Sequence, residues 1–395
     1  MSPILRDFPE LDRRIWILAA ARVIVTAGFA AVMPFLAMHL AVARHVPVLK
    51  IGLLWTAVGI TSSVTQWVSG QLADRIGRRR VMLAAMGLRS ANLAALGWAI
   101  GADASFGVIA ALCLVNGAMR AFYDPAASAV VASLAVPAER VAAFSLHRVG
   151  SSIGWAAGPL TATLASGANY ETLFYVAAPL TLLAALAVAT IPETRPAGPP
   201  HPIQLRLPSF ASVHDRTFIR FLAATFAFYL LQTQMYHIMA IYAAKHLGLD
   251  RAQVGTLFVL NGVLVVLIQL PAVQYIRRVG THGALLLGAL GYSIAYTGCA
   301  LAGSYLPLLA CVALVTLSEI VAVPAQQATV TELAPADKVT RYAGMYGFVQ
   351  GAAQTAGPIL GTCLIEFVSP QGAWLLLAGI GVLAAWGYRV RPTAP

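Results

Sequence analysis

Long apolar runs alternate with short clusters of charge along nearly the whole chain. A helix that crosses a bilayer needs about 20 apolar residues. Runs of that order, bounded by charges, Gly or Pro, occur at twelve places: residues 15–41, 50–72, 80–101, 105–134, 140–166, 170–191, 217–244, 252–275, 282–302, 305–333, 340–367 and 370–389. The pattern predicts an all-α polytopic membrane protein with twelve transmembrane helices. The first 14 residues are polar and mixed in charge, and the run after them is too long for a signal-peptide core. That run is expected to stay as the first span.

Composition agrees. Of 395 residues 59% are hydrophobic and 10% charged, and the mean hydropathy is +0.76. A soluble domain is nearer 45–50% apolar, with about a quarter of its residues charged. A soluble chain of this length would need two or three cores, and too few polar residues are present to coat them. The net charge of +11 follows from topology. Of the 26 Lys and Arg, 18 lie at the termini and in the loops leading from even to odd spans, 4 lie in the opposite loops, and 4 lie inside spans. Positive charge gathers on the cytoplasmic side, so both termini are expected there and no nucleic-acid partner is needed to explain the basicity. The four cysteines stand in apolar runs without a CxxC spacing or nearby histidines, which supports neither a metal site nor a disulfide framework. No HExxH or His-Asp cluster at a membrane edge suggests an enzyme, and no cofactor is expected.

Six prolines between Pro192 and Arg216 interrupt the pattern and read as a semi-rigid cytoplasmic linker. This divides the chain into a six-helix bundle over 1–191, the linker 192–216, and a second bundle over 217–395. The halves repeat. Adding 199 to the numbering lays Asp124–Ala135 (DPAASAVVASLA) on Val323–Ala334 (VPAQQATVTELA), and without a gap Ala157–Leu160 (AGPL) on Ala356–Ile359 (AGPI). Parallel repeats about an axis along the membrane normal are a transporter architecture, with sites near the midplane where the repeats meet. Two pseudo-symmetric six-helix bundles are therefore expected.

The charged stretch GQLADRIGRRRVM, starting at Gly70, resembles the loop 2–3 signature of the major facilitator superfamily. Further stretches look like its bacterial twelve-span drug:proton antiporter branch: GFAAVMPFL in span 1, FYDPAASA in span 4, LHRVGSSIGWAAGP in span 5, SEIVAVPAQQATV in span 10 and YAGMYG in span 11. Two departures stand out. Cys113 occupies the place three residues before Asn116-Gly117 where that branch often has arginine, and span 5 runs GPLTAT where Gly-Pro-x-x-Gly-Gly is usual. The resemblance implies the major facilitator fold, a bacterial inner-membrane location and a small-molecule substrate. It also implies that Asp74 lies against the start of a helix in the other half, where an acid interacts favourably with the helix dipole. Gly70, Asp74, Arg75, Gly77 and Arg78 would then form a conformational latch on the cytoplasmic side. Arg75 and Arg78–Arg80 also satisfy the positive-inside rule without any latch, and Gly70 permits close approach of a neighbouring helix.

Ionisable groups inside spans are costly and mark function by default. Glu319 lies about 14 residues, or ~21 Å, from the cytoplasmic end of span 10, near the midplane. Desolvation there disfavours the charged carboxylate, as a proton carrier needs. By resemblance Glu319, five residues before Pro324, matches the proton-linked acid of the family. A structural carboxyl bonded across helices is the plain alternative. Its repeat counterpart is Arg120, one turn from Asp124 in ion-pair geometry. Arg120 and Asp124 either neutralise one another or form a switch in which Arg120 exchanges between Asp124 and Glu319. Arg22 and Arg148 lie at a depth close to Asp124 and either pack with it or face the cavity, where they would favour an anionic metabolite, siderophore or lipid-like substrate. His147, Gln232, Gln234 and His237 are candidate cavity liners or interhelical hydrogen-bonding groups. Gly150, Gly154 and Gly158, ahead of Pro159, form a small-residue stripe that admits a close helix. Pro125 and Pro324 are expected to bend spans 4 and 10. The leading expectation is a monomeric, proton-coupled exporter of small amphipathic compounds, working by alternating access in the lipid bilayer.

Overall fold

The computed structural model describes residues 11–135, 140–164, 169–193, 215–335 and 339–389. Within these the chain is helical, with no strand. In lipid a backbone must satisfy its own hydrogen bonds, so apolar segments of this length fold as helices. They are α1 (Arg13–Val42), α2 (Val48–Ile76), α3 (Arg78–Gly101), α4 (Phe106–Leu134), α5 (Arg140–Leu164), α6 (Tyr170–Ala189), α7 (Arg216–His246), α8 (Arg251–Leu301), α9 (Tyr305–Leu333), α10 (Val339–Phe367) and α11 (Pro370–Gly387). The helix α8 is broken at Gly280 (φ 75°), so it supplies two spans and the helical stretches correspond to the twelve expected runs. Nine described stretches are long and apolar enough to cross a membrane.

Glycine makes two of the turns. Only Gly77 separates α2 from α3, at φ 110°, and Gly280 makes the corresponding break in the second half. Both conformations are open to glycine and strained for other residues. Elsewhere side chains cap the helices: Asp215 accepts from the backbone N–H of Thr217 (2.8 Å) and Phe218 (3.2 Å) at the start of α7. Asp250 and Gln253 form a reciprocal capping box on α8.

The helices fall into two compact units. One contains Met1–Met33 and Ala57–Gln204; the other contains Pro34–Thr56 and Leu205–Pro395. The hairpin joining α1 and α2 thus groups with the second unit, where Phe35 meets Phe258 edge-on at 6.2 Å. Inside the first unit α3 packs on α6 and α4; inside the second α8 packs on α9 and α11, and α7 on α10 and α11. The linker residues 194–214 lie outside the described residues.

Burial is sorted by helix face. On α3, Leu88 and Trp98 are exposed, whereas Arg89, Asn92, Leu93 and Leu96 are buried. Apolar side chains outward and polar ones inward is the arrangement lipid demands.

Candidate functional site

In the second unit the polar interior centres on Glu319, half-buried on α9. Gln232 of α7 donates from Nε2 to Glu319 Oε1 at 2.6 Å. The phenols of Tyr229, Tyr236 and Tyr292 lie within electrostatic range of the carboxylate. One turn away Asn261 of α8 donates to Thr316 of α9 at 2.9 Å. A second polar string joins four helices. Tyr346 donates to Gln326 (3.3 Å), Gln326 to Tyr388 (2.7 Å), and Tyr388 to Thr225 (3.3 Å). Because the Tyr346 hydroxyl is donating to Gln326, the proton of its 2.8 Å bond with Tyr229 belongs to Tyr229.

Gln234 is placed differently from Gln232, although only two residues apart. It is fully buried, with Nε2 donating to the carbonyls of Leu230 (2.6 Å) and Gly357 (3.1 Å), so it ties α7 to α10. His237 packs its ring 5.7 Å from that of Trp55.

In the first unit Arg22 of α1 forms an ion pair with Asp124 of α4. Arg120, one turn from Asp124, instead lies over the Phe29 ring with Cζ 4.1 Å from its centroid. Phe29 in turn meets Trp155 edge-on at 5.8 Å. The i,i+4 spacing of Arg120 and Asp124 thus yields no ion pair here, and α1 supplies the partner. His147 is buried on α5; the side chain of Arg148 lies outside the described residues. One group of this interior was not singled out from sequence. Arg89 is only 2% exposed and sits on the same face of α3 as Asn92, which accepts from Asn116 of α4 at 3.3 Å. The available signal was its position inside a span, three residues from a second polar group.

The glycine stripe packs α5 on α1. A Cβ at Gly150 would stand 2.6 Å from the Ala19 carbonyl, at Gly154 2.7 Å from that of Val23, and at Gly158 2.5 Å from that of Ala27. Pro159 follows within α5.

At the Gly77 turn Arg78 donates to the Ala129 carbonyl (3.0 Å) and Arg79 to that of Ile191 (3.0 Å). The carboxylate of Glu193 accepts from the backbone N–H of Arg79 (3.0 Å) and Arg80 (3.2 Å), capping α3 from beyond the end of α6. A Cβ on Gly77 would meet that carboxylate at 2.5 Å. Arg75 is exposed, and the side chains at Gly70 and Asp74 lie outside the described residues.

The model of the Major Facilitator Superfamily matches residues 18–242 and 221–395. The chain belongs to this superfamily. Among major facilitator relatives, the multidrug resistance protein MdtH of Aeromonas salmonicida is 25% identical over 381 residues, covering 94% of each chain. An uncharacterized major facilitator-type transporter of Bacillus subtilis, YhjO, is 25% identical over 312 residues, 78% of this chain and 76% of its own. A POT family transporter, solved in complex with 5-aminolevulinic acid, superposes with a TM-score of 0.78 at 14% identity, covering 95% of both chains. This major facilitator protein is therefore a polytopic transporter of small molecules and not an enzyme.

Proposed function

We propose that the protein is a proton-coupled antiporter that exports small amphipathic compounds by alternating access. It would act as a monomer in a bacterial inner membrane, with both termini cytoplasmic and the proton gradient as its only driver. The observation that carries this reading is the Gln232–Glu319 hydrogen bond inside the membrane-spanning part of the second unit. A half-buried carboxyl there changes the charge of the interior by one on each protonation. An amide neighbour donates to the ionised form and accepts from the acid, so both states find a partner. The names of relatives such as MdtH support export of drug-like compounds. In the cycle, protonation of Glu319 from outside follows substrate release and drives return of the carrier. The Gly70–Arg78 stretch, at the end of α2 and the start of α3, closes the cytoplasmic side in the outward-facing state.

Inverted vesicles carrying the Glu319→Gln variant test this. Proton-driven substrate movement is expected to fall to the level of vesicles without the protein, at unchanged expression. Full gradient-driven activity would overturn the mechanism.

A further inference from the structure

The interior of the first unit carries more positive charge than its ion pair uses. Arg22, Arg89 and Arg120 all lie within spans, and among the described side chains facing them the carboxylate is that of Asp124. Arg22 engages Asp124, and Arg120 is stacked on Phe29. Arg89 is left over. It is 2% exposed, and its Nε, Nη1 and Nη2 are buried without a hydrogen bond to any described residue. The hydroxyl of Tyr123, a residue 1% exposed, is in the same condition, as are Arg22 Nε and His147 Nδ1. These groups form one neighbourhood: Arg89 feels Arg120, Asp124, Arg22 and Tyr123, and His147 feels Arg22 and Asp124.

A guanidinium keeps its charge in proteins and presents five donors in a planar fork. Buried without acceptors it is among the most costly groups a protein holds, and a buried phenol ordinarily has a partner. The Arg89 guanidinium therefore requires an acceptor that also brings negative charge, and the Tyr123 hydroxyl an acceptor. Water supplies the acceptor but not the charge. A carboxylate or a halide supplies both, and a carboxylate matches the guanidinium fork in bidentate geometry. The neighbouring Asp124 carboxylate repels a dianion more than a monoanion.

We propose that the first unit binds a small monovalent anion, held by Arg89 and Tyr123 beside the Arg22–Asp124 pair. The anion is either inorganic or the carboxylate of the transported compound; in the second case the inference rests on the export reading and adds an acidic group to its cargo.

The test is thermal unfolding of the purified full chain at constant ionic strength, with bulky gluconate replaced stepwise by chloride, acetate or benzoate. The wild type is expected to show a saturable rise in Tm of about 2–5 °C. Arg89→Gln should abolish the rise, and Tyr123→Phe, which keeps the ring, should raise the half-saturating concentration several-fold. Saturation with chloride alone assigns an inorganic anion; saturation with carboxylates, benzoate best, assigns the cargo. The same anion response in wild type and both variants, or none in the wild type, overturns the site. Should Arg89→Gln fail to fold, an unchanged half-saturating concentration in Tyr123→Phe is sufficient to overturn it. No gradient is applied, so export without an anion response sinks this inference and leaves the proton-driven reading standing.

Discussion

Helices α4 and α9 occupy equivalent places in the two halves, yet their interiors carry opposite chemistry. Their prolines coincide on the 199-residue repeat, Pro125 with Pro324, each inside its helix. So do the close-packing glycines of α5 and α10: Gly158 lies against α1, and Gly357 against Thr233 of α7, the first helix of the second half. The ionisable residues do not repeat. Where α4 has Arg120, α9 has Glu319, and three arginines gathered about one acid stand against a carboxylate bonded by an amide. Helix packing constrains small residues and kinks wherever the fold recurs, whereas charge is free to diverge. One half sets its acid in an ion pair and the other sets its acid against an amide.

The largest effect expected from breaking this contrast is at the two acids. Asp124→Asn removes the partner of Arg22 and leaves guanidinium groups in a sparsely hydrated interior, at a cost of about 2–3 kcal/mol. Glu319→Gln exchanges an amide–carboxylate bond for an amide–amide bond and should cost less than about 1 kcal/mol. Unfolding midpoints of the two purified variants decide it, and equal losses would abolish the contrast between the ion-paired and the amide-bonded acid.

The shared scaffold is tested by Gly158→Val and Gly357→Val. Each drives a branched side chain into a neighbouring helix and should cost about 1–3 kcal/mol. Comparable drops in midpoint sharpen the comparison; tolerance at one position alone would show that the repeat does not extend to packing.

The smallest effect is at the turns. Both Gly77 and Gly280 have positive φ, but a Cβ at Gly280 meets nothing within 4 Å, whereas at Gly77 it displaces Glu193. Glu193→Ala should lower stability by about 1 kcal/mol through the lost cap. Gly77→Ala should cost more than Gly280→Ala in the same unfolding assay, and the reverse order would remove the cap from the account.

The spans, the repeat and the Gly77 turn were legible because each depends on local properties: apolar length, residue size, and a conformation that glycine alone adopts freely. The polar pairings were less so. Spacing along α4 offers Arg120 to Asp124, but the partner chosen depends on how α1 is rotated against α4, which the sequence of either helix does not express. Likewise Gln232 and Gln234 look equivalent in sequence, yet lie about 200° apart around α7, so one reaches Glu319 and the other α10. Arg89 belongs to no motif, and its mid-span position alone does not show which groups surround it. Glu193 stands in the Pro-rich linker by composition, and nothing short of the fold shows it reaching back to α3.

That last contact has a consequence for biogenesis. The carboxylate that closes the start of α3 is synthesised 114 residues after the first amide it receives. Chains are made from the N-terminus and domains fold as units during synthesis. The first amides of α3 must therefore wait until α6 has left the ribosome. The turn between α2 and α3 is drawn early and fastened late, and the residue that fastens it marks the completion of the first six spans.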